Sequence, residues 1–359
     1  MSEMKIRKKF PLLLLVVLVP AICLVPTVHA EGGQYRDYYT FMDAFMSLTS
    51  AYPELVTYET IGKTVENRDI IMFKIGNPAG GRVLFDGALH GEENLGSEVL
   101  YFYAKWLLSS NDPIANRILT GAYTLLIPAL NVDNYRNVRT NAHHVDLNRN
   151  FATNWEYAGS TNPSSWYYRG PAPLSEPESQ ALVSVFQTYE PHFYMNLHRG
   201  ATLFYVSNYG NTTYYSLLFE KMEALSRERG VTPYPYSFIR GAGFAISDAA
   251  RAGITSFLLE LIDWETIVSF AEIETVVLPT FIPVAAVLTQ ECALFPHIPP
   301  WDLNQDGRVS IVDMTVVALA FGSTPESTNW NPLADLNADK IVDVFDLKVV
   351  SMHFGEESM

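Results

Sequence analysis

The chain has 359 residues, of which 48% are hydrophobic and 18% charged, a composition that excludes an intrinsically disordered protein. Its formal net charge of −15 at pH 7 argues against nucleic acid or an anionic membrane surface as a partner. This length allows one large α/β core and a small second domain.

Residues 1–30 have the pattern of a secretory signal peptide. A basic start precedes an apolar run at residues 11–25, and residues 28–30 (VHA) suit a small-residue cleavage site. The run is short for a bilayer span, and Pro20 interrupts it. We therefore expect a secreted or cell-surface protein with no stable membrane span after cleavage.

Loss of the signal peptide changes the charge and the cysteine content. It leaves 20 basic against 38 acidic side chains, a net charge of −18. Cys23 leaves with the segment, so Cys292 remains alone and no intrachain disulfide is expected.

Residues 51–300 alternate apolar strand-like runs with helical segments, which predicts a layered α/β protein with helices on both sheet faces. The predicted strands are Ile70–Ile75, Val83–Gly87, Tyr123–Pro128, His192–Leu197 and Ser256–Leu261. The predicted helices are Ser97–Leu108, Glu176–Tyr189 and a segment around Ile273–Leu294.

The turn at residues 87–93 (GALHGEE) follows a predicted strand and precedes a helix. It places His90 and Glu93 at the carboxyl end of a strand, where open α/β sheets build their sites. An imidazole and a carboxylate three residues apart can share one cation, and catalytic zinc takes three such ligands. Alone, H-x-x-E is weak, because a surface His beside an acid gives the same pattern.

A third ligand is expected from another strand end, and His198 closes the predicted strand His192–Leu197 in that way. The remaining histidines of the presumed mature chain are better explained by solvation or ordinary hydrogen bonds. They are His143, His144, His192, His297 and His353.

Residues 139–151 (RTNAHHVDLNRNF) contain a D-x-N-R-N-aromatic pattern. Together with the H-x-x-E turn, it resembles the zinc metallocarboxypeptidases. Residues 195–201 (MNLHRGA) look like the third-ligand strand of that family, residues 61–70 like its early strand pair, and residues 256–261 like the strand carrying its catalytic glutamate. Five motifs occur in the family's order, which is more specific than any one of them. The resemblance implies a three-layer α/β/α fold with a mixed central sheet.

The resemblance also implies a metal centre and a base. His90, Glu93 and His198 match the zinc ligands, leaving one position for a water whose pKa zinc can lower towards ~7. Glu260 matches the general base that takes the proton of this water and delivers it to the leaving amine. Apart from the resemblance, Glu260 lies within the apolar residues 257–262. Burying a carboxylate there costs free energy unless it is paired, and such groups are often found in active sites.

Three further residues match the substrate-binding groups of the family. Arg139 matches the arginine that stabilises the oxyanion, with Arg136 as a nearby competitor. Asn148 and Arg149 match the pair that grips the terminal carboxylate, which a guanidinium fork binds bidentately. The chain is thus expected to be a secreted metallocarboxypeptidase that hydrolyses C-terminal peptide bonds.

The sequence departs from the family at two places. Digestive-type members carry a mobile tyrosine where this chain reads Phe238-Ile239-Arg240, so Tyr234 or Tyr236 is the candidate replacement. Two residues compete to set side-chain preference. Ile246 would favour apolar or aromatic termini, whereas Asp248 pointing inward would favour Lys or Arg.

The Pro-rich stretch 296–300 reads as a linker between a catalytic domain at 31–295 and a tail at 301–359. The tail holds two segments, 33 residues apart, with oxygen-bearing side chains at positions 1, 3, 5, 9 and 12 of a calcium loop. The first set is Asp302, Asn304, Asp306, Ser310 and Asp313, and the second is Asp335, Asn337, Asp339, Asp343 and Asp346.

Each calcium loop is expected to precede a short apolar helix, Met314–Phe321 or Leu347–Phe354. Position 6 is Gly307 in the first loop but Lys340 in the second, which weakens the second site. The pair resembles a dockerin, the module that docks onto cohesin-bearing scaffolds. The resemblance implies a small all-α unit with two structural Ca²⁺ ions.

Three other functions stay open at this point. Aspartoacylase-like deacylases of N-acyl amino acids share the H-x-x-E turn, the Asn-Arg pair and the later His. A cell-wall endopeptidase would use the same fold. A non-catalytic protein that binds cohesin or peptides would keep the fold without activity.

Overall fold

The computed structural model describes residues 35–207, 209–210, 212–239, 241–292, 301–304, 308–331, 333–337 and 339–356. The predicted signal peptide, the linker 296–300, His297, Asp306 and Gly307 lie outside the described residues. Within them, eight strands form one sheet. The strands are β1 (Val56–Lys63), β2 (Asp69–Gly76), β3 (Gly81–Asp86), β4 (Ala122–Ile127), β5 (Phe193–Gly200), β6 (Leu203–Ser207), β7 (Tyr236–Ile239) and β8 (Thr255–Asp263).

The sheet is mixed, in the order β1-β2-β4-β3-β5-β8-β6-β7. The four central strands β4, β3, β5 and β8 are parallel to their neighbours within this group, whereas β2 and β6 join them antiparallel on either side. Seven of the eight β5 residues are buried, as expected for a central strand covered on both faces. The carboxyl ends of β3, β5 and β8 therefore lie together at one edge.

Helices cover both faces of the sheet and give it two hydrophobic cores. One face is covered by α1 (Tyr38–Ala51), α2 (Leu95–Ser109), α3 (Pro113–Gly121), α5 (Thr212–Glu228) and α8 (Leu278–Cys292). The other is covered by α4 (Pro177–Tyr189) and α6 (Ala245–Arg251). The predicted three-layer α/β/α arrangement with a mixed sheet is confirmed.

The helical segment Phe270–Cys292 comprises α7 (Phe270–Glu272), a π-helical turn and α8. Its length and composition would suffice to cross a membrane, but 61% of its most apolar stretch is buried inside the protein. Phe281 and Ala285 are completely buried in the core. The segment therefore has the burial of a core helix.

The tail contains two helices that pack on each other, α9 (Ile311–Ala320) and α10 (Val344–Met352), around a small apolar cluster of their own. Its two halves repeat each other's contacts. Val309 exchanges backbone hydrogen bonds with residues 355–356, and Val342, 33 positions later, exchanges them with residues 322–323. The duplication seen in the sequence is thus a structural repeat.

Both tail helices begin three residues earlier than predicted. Ser310 and Asp343 are their N-caps, and each closes a capping box with the acidic residue three positions on, Asp313 or Asp346. Position 9 of each loop is therefore also the helix cap. The sequence pattern placed each helix after position 12 of its loop and so missed these starts.

Candidate metal centre and cleft

The turn after β3 delivers the first two candidate ligands. The Glu93 amide donates to the His90 carbonyl at 3.1 Å, so both side chains face the same way. Gly91 allows the loop of residues 131–139 to pack against this turn, since a Cβ there would lie 2.1 Å from the Asn134 carbonyl oxygen. The absence of a side chain at Gly91 thus helps to bring Arg139 to the site.

The third candidate ligand, His198, lies near the end of β5 and meets the other two. Glu93 Oε1 lies 2.8 Å from His90 Nδ1, and Glu93 Oε2 lies 2.7 Å from His198 Nδ1. All three side chains are buried, and their donor atoms lie within 4.8 Å of one another. Two imidazole nitrogens and one carboxylate are a donor set that fits Zn²⁺.

The electrostatics of this group also fit a cation. Burial opposes ionisation of Glu93, but His90 and His198 outweigh it and hold the pKa of Glu93 well below its usual range. Burial lowers the pKa of His198, which favours the neutral, metal-binding form. Burial and Arg139 also favour neutral His90, but Glu93 and Asp146 raise its pKa to about 9.

Each candidate histidine ligand has a second partner at Nε2. His90 Nε2 lies 3.0 Å from Asp146 Oδ1, while His198 Nε2 is hydrogen-bonded to Asn196 Oδ1. Sequence reasoning assigned no role to Asp146 or Asn196, although Asp146 opens the quoted D-x-N-R-N pattern. Such partners orient a metal-bound histidine.

Arg139 stands beside this group and lines the same cavity. Its Nε donates to Asp146 Oδ2 at 2.9 Å, and its Nη1 lies 3.5 Å from Glu93 Oε1. Burial disfavours the charged guanidinium, but Asp146 and Glu93 raise the pKa of Arg139 further, so it stays charged. Arg136 does not line this cavity; its amide donates to the Gly91 carbonyl.

The predicted carboxylate-gripping pair lies across the cavity on a 3₁₀ turn, Leu147–Arg149. Asn148 Oδ1 accepts from the Ala245 amide at 3.1 Å, which fixes its side chain. The Arg149 guanidinium lies 4.5 Å from the ring centre of Phe244. Tyr167, which is half exposed, contacts the guanidinium groups of both Arg139 and Arg149.

Glu260, on β8, is paired in register with His198 on β5. Its Oε2 is buried and has no hydrogen-bond partner among the described residues. Burial, together with the nearby Glu93 charge, raises the pKa of Glu260 to about 7. A carboxyl group whose pKa lies near 7 and whose Oε2 has no hydrogen-bond partner in the part of the chain that the structure describes can accept a proton and return it.

All seven residues discussed so far as ligands, base or substrate contacts line one cavity of about 440 Å³. Its remaining wall contains apolar and aromatic side chains, including Tyr205, Ile239, Phe244, Leu258 and Trp264. These residues come from β6, β7, β8 and adjoining loops. Sequence reasoning did not find them, since no spacing motif links them.

Neither predicted specificity residue lines the cavity. Ile246 is completely buried in a core cluster. Asp248 instead accepts hydrogen bonds from the Ala152 and Thr153 amides, at 2.9 and 2.7 Å. Neither side chain therefore faces the cavity in this structure, and the residue that sets side-chain preference stays a prediction.

The two candidate tyrosines also lie away from this cavity. The Tyr234 hydroxyl is engaged with the Leu261 carbonyl and with Thr280. Tyr236 stacks on Phe219 with ring centres 4.0 Å apart. Neither residue lines the cavity in this structure, and a mobile role for Tyr234 or Tyr236 stays a prediction.

The remaining histidines that the structure describes lie outside the candidate metal group. His143 contacts Glu176, His192 accepts from the Arg82 amide, and His353 stacks on Trp301. His144 has a left-handed backbone in the loop before the 3₁₀ turn. The structure provides no metal-binding cluster for these side chains among the described residues.

In the tail, the second predicted calcium loop is closed by hydrogen bonds among its own polar groups. Asp346 Oδ1 accepts from the Leu336 and Asn337 amides, and Asp335 Oδ1 accepts from the Asp339 amide. Lys340 adopts the left-handed conformation, φ 70°, that position 6 requires.

The first predicted calcium loop is described only in part. Asp302 and Asp313 are buried, and the Asn304 amide donates to Asp313 Oδ1 at 3.1 Å. Ser310 is the cap of α9, as stated above. Position 12 therefore anchors position 3 in both loops.

Comparison with known proteins gives a consistent result. A profile of the zinc carboxypeptidase family matches residues 39–233, a range that contains the three candidate zinc ligands and Arg139, Asn148 and Arg149 but not Glu260. Mast cell carboxypeptidase A of Mus musculus is 27% identical over 177 residues, covering 44% of this chain and 42% of that protein. Carboxypeptidase B of Astacus astacus is 29% identical over 168 residues, covering 41% of this chain and 55% of that protein.

The chain spans about half the length of these curated relatives. Among solved structures, bovine thrombin-activatable fibrinolysis inhibitor, in complex with tick carboxypeptidase inhibitor, superposes with a TM-score of 0.64. The two sequences are 20% identical, and the match covers 73% of this chain and 98% of that one, so it supports the fold alone. Because the family profile spans more than half of the sequence, the chain belongs to the zinc carboxypeptidase family.

Proposed function

We propose that this chain is a secreted metallocarboxypeptidase that hydrolyses the C-terminal peptide bond of peptides or proteins. The observation that carries the proposal is the cavity in which His90, Glu93 and His198 meet Arg149 and Glu260. Zn²⁺ bound by the three ligands would supply a Lewis acid that polarises water and the scissile carbonyl.

Arg149 and Asn148 explain why cleavage would be terminal. The guanidinium of Arg149 lies against Phe244 and Tyr167 and lines the cavity with the Asn148 side chain. A fork of N–H donors binds a carboxylate bidentately, and a peptide bond inside a chain presents no such group there. The substrate's free carboxylate would thus set which bond reaches Glu260.

Glu260 and Arg139 would divide the chemical work. Glu260 would take a proton from the attacking water at its free Oε2 and give it to the departing amine. Arg139, held by Asp146, would donate to the carbonyl oxygen as negative charge develops on it. Because Asp146 already fixes the guanidinium, little reorganisation is needed during the reaction.

The wall of the cavity favours an apolar or aromatic C-terminal side chain. Tyr205, Ile239, Phe244 and Leu258 line it, and the carboxylate of Asp248 is turned away to backbone amides. A C-terminal Lys or Arg side chain in the cavity would therefore form no ion pair with Asp248. We therefore propose a preference for residues such as Phe or Leu over Lys or Arg.

A peptide-library digest with mass detection, with and without a zinc chelator, tests this function. Removal of single C-terminal residues, lost with the chelator and restored by Zn²⁺, is the expected result. N-acyl aspartate should be included, because cleavage of that compound alone would favour a deacylase. Internal cleavage of cell-wall peptides would favour an endopeptidase, and no cleavage would favour a binding protein.

For the tail we propose two structural Ca²⁺ ions and a protein partner of the cohesin type. The ten predicted ligand positions repeat at 33 residues, and the two halves make equivalent backbone contacts. Exposed apolar residues also repeat at this interval on α9 and α10 and just after them. These pairs are Ile311 with Val344, Val312 with Phe345, Leu319 with Met352, and Phe321 with Phe354.

Calorimetric titration of the full chain with Ca²⁺ tests the metal part of this proposal, with Asp339→Ala and Asp43→Ala compared. Asp339 belongs to the second loop, whereas Asp43 is an exposed acid on α1. Two Ca²⁺ per chain are expected for wild type and Asp43→Ala, and fewer for Asp339→Ala. Equal binding by all three would contradict the assignment. Retention on immobilised cohesin only with Ca²⁺ would support the partner.

A further inference from the structure

Both candidate zinc-binding histidines turn Nδ1 towards Glu93 and Nε2 towards a second partner. A proton on Nε2 leaves the Nδ1 lone pair for a metal, and an acceptor facing Nε2 selects that tautomer. The acceptor of His90 is the carboxylate of Asp146. An ionised carboxylate accepts hydrogen bonds and has no hydrogen to donate. The acceptor of His198 is the amide of Asn196, which can present either an oxygen or an NH₂ group.

Asp86 decides which end of the Asn196 amide faces His198. Asn196 Nδ2 donates to Asp86 Oδ1 at 2.7 Å, because β3 and β5 are parallel neighbours with these two residues in register. With Nδ2 committed to Asp86, Oδ1 must face His198 Nε2. If the amide were flipped, its NH₂ group would face the His198 Nε2–H and its oxygen would face the Asp86 carboxylate. Both contacts are unfavourable.

Tyr194, which lies on β5 with Asn196, also holds Asp86 in place. Its hydroxyl donates to Asp86 Oδ2 at 3.2 Å, and Tyr194, Asp86 and Asn196 are all completely buried. Burial raises the pKa of Asp86 to about 7. If Asp86 Oδ2 is protonated, it can donate to the Tyr194 oxygen while Oδ1 still accepts, so the direction of the chain is unchanged.

A carboxyl group at the buried end of a central strand, such as that of Asp86, is costly to bury unless hydrogen bonding compensates it. Asp146 has Arg139 and His90 as charged partners, whereas Asp86 accepts side-chain hydrogen bonds from the neutral Asn196 and Tyr194. The side chain of Asp86 therefore has an unusual position for a group that contacts neither substrate nor metal.

We propose that Asp86 is a positioning residue that acts through Asn196 to hold His198 with its proton on Nε2 and its Nδ1 available for zinc. Tyr194 supports the same arrangement. The proposal rests on the zinc site proposed above. Its tests therefore include one measurement that needs no metal.

The first test is the zinc dissociation constant of the full chain, measured by competition with a chelator. Asn196→Leu removes the acceptor, so affinity should fall about 10- to 100-fold, the usual effect of losing such a partner. Asp86→Leu frees the amide to flip and should cost about 10-fold. Asp86→Asn should stay close to wild type, because its carboxamide can accept from Asn196 and donate to Tyr194.

Asp248→Leu is the matched control for Asp86→Leu. Asp248 is also a buried carboxyl that accepts two hydrogen bonds, but its donors are backbone amides and it does not line the cavity. This variant should lose stability and keep wild-type zinc affinity. If it weakens zinc binding as much as Asp86→Leu, general destabilisation explains the effect and the proposal fails.

The second test reads the His198 tautomer by ¹⁵N NMR in metal-free Glu93→Ala protein, because without metal the ionised Glu93 carboxylate faces Nδ1 and would itself hold a proton there. The Nε2–H form should predominate in this background and with Asp86→Asn added, and it should decrease with Asp86→Leu added. If the Leu variants do not fold, the Glu93→Ala protein decides the matter, because a predominant Nδ1–H form would overturn the proposal. The expected tautomer in this protein, together with a wild-type chain that binds no zinc, would refute the proposed function and leave the positioning role standing.

Discussion

Replacing Glu260 with Gln separates the proposed base from the rest of the site. The amide keeps the size of the side chain but cannot accept a proton from water. General acid–base groups contribute about 10²- to 10⁴-fold to rate, so kcat should fall by that factor, equivalent to about 3–5 kcal/mol. KM should change little, because Asn148 and Arg149 still bind the carboxylate.

The structure predicts that this loss does not come from unfolding. Burial and the Glu93 charge raise the pKa of Glu260, which means that the folded protein disfavours its ionised form. A neutral amide at this position should leave the free energy of unfolding unchanged or slightly larger. Zinc should still bind, since Glu260 is not part of the three-residue donor group.

The assay is steady-state hydrolysis of a blocked dipeptide with a C-terminal Phe, accompanied by zinc content and a urea unfolding curve. A variant with lower kcat, normal zinc content and normal stability is expected. Full activity in Glu260→Gln would refute the assigned role. Loss of zinc together with activity would also refute it, because Glu260 would then act as a ligand.

Three further predictions concern the cleft and its support. Arg149→Lys should lower kcat/KM about 10-fold, mainly through KM, because an ammonium cannot bind a carboxylate bidentately; an unchanged KM would contradict this. Gly200→Ala should lower kcat without loss of zinc, because its Cβ would lie 3.2 Å from Glu260 Oε2 and 3.1 Å from Trp264 Nε1; unchanged kinetics would show that the base tolerates this contact. Asp86 has a folded pKa of about 7 against 3.8 in the unfolded chain, so metal-free wild type should lose about 3 kcal/mol of unfolding free energy between pH 4 and 7 relative to Asp86→Asn. Urea unfolding of both proteins at the two pH values checks this, and parallel pH profiles would contradict it.

The sequence predicted the metal group because its ligands lie at strand ends marked by local motifs. The H-x-x-E turn fixes His90 and Glu93 on one short segment, and His198 ends a long buried strand. Asp146 was also visible in the quoted pattern, although no role was assigned to it. Such short patterns are enough to predict a site when each of its residues is marked by its own local motif.

The apolar wall of the cavity could not be predicted in the same way. Tyr205 and Ile239 belong to β6 and β7, two short strands at one side of the sheet. β6 pairs antiparallel with β8, and β7 is the edge strand that pairs only with β6. The relation between Asp86 and Asn196 depends on the register of β3 and β5, which are separated by more than 100 residues. Such contacts follow from topology, and a single sequence does not reveal strand order.

The tail shows a third kind of limit. Its duplicated spacing was evident, but the helix starts depended on side chains that serve as both loop and cap residues. Ser310 and Asp343 occupy position 9 of the loops and also cap the helices. The prediction let each helix begin after position 12 of its loop, so it placed both helices three residues too late.

The central claim is that a zinc site and an arginine grip together direct cleavage to the C-terminal bond. The most direct measurement compares hydrolysis of one peptide ending in Phe as the free acid and as the C-terminal amide, in zinc-loaded and zinc-stripped protein. The account predicts that the zinc-loaded protein cleaves the acid at least about 100-fold faster than the amide, with no cleavage after stripping. Equal cleavage of acid and amide, or cleavage that survives removal of zinc, would contradict it.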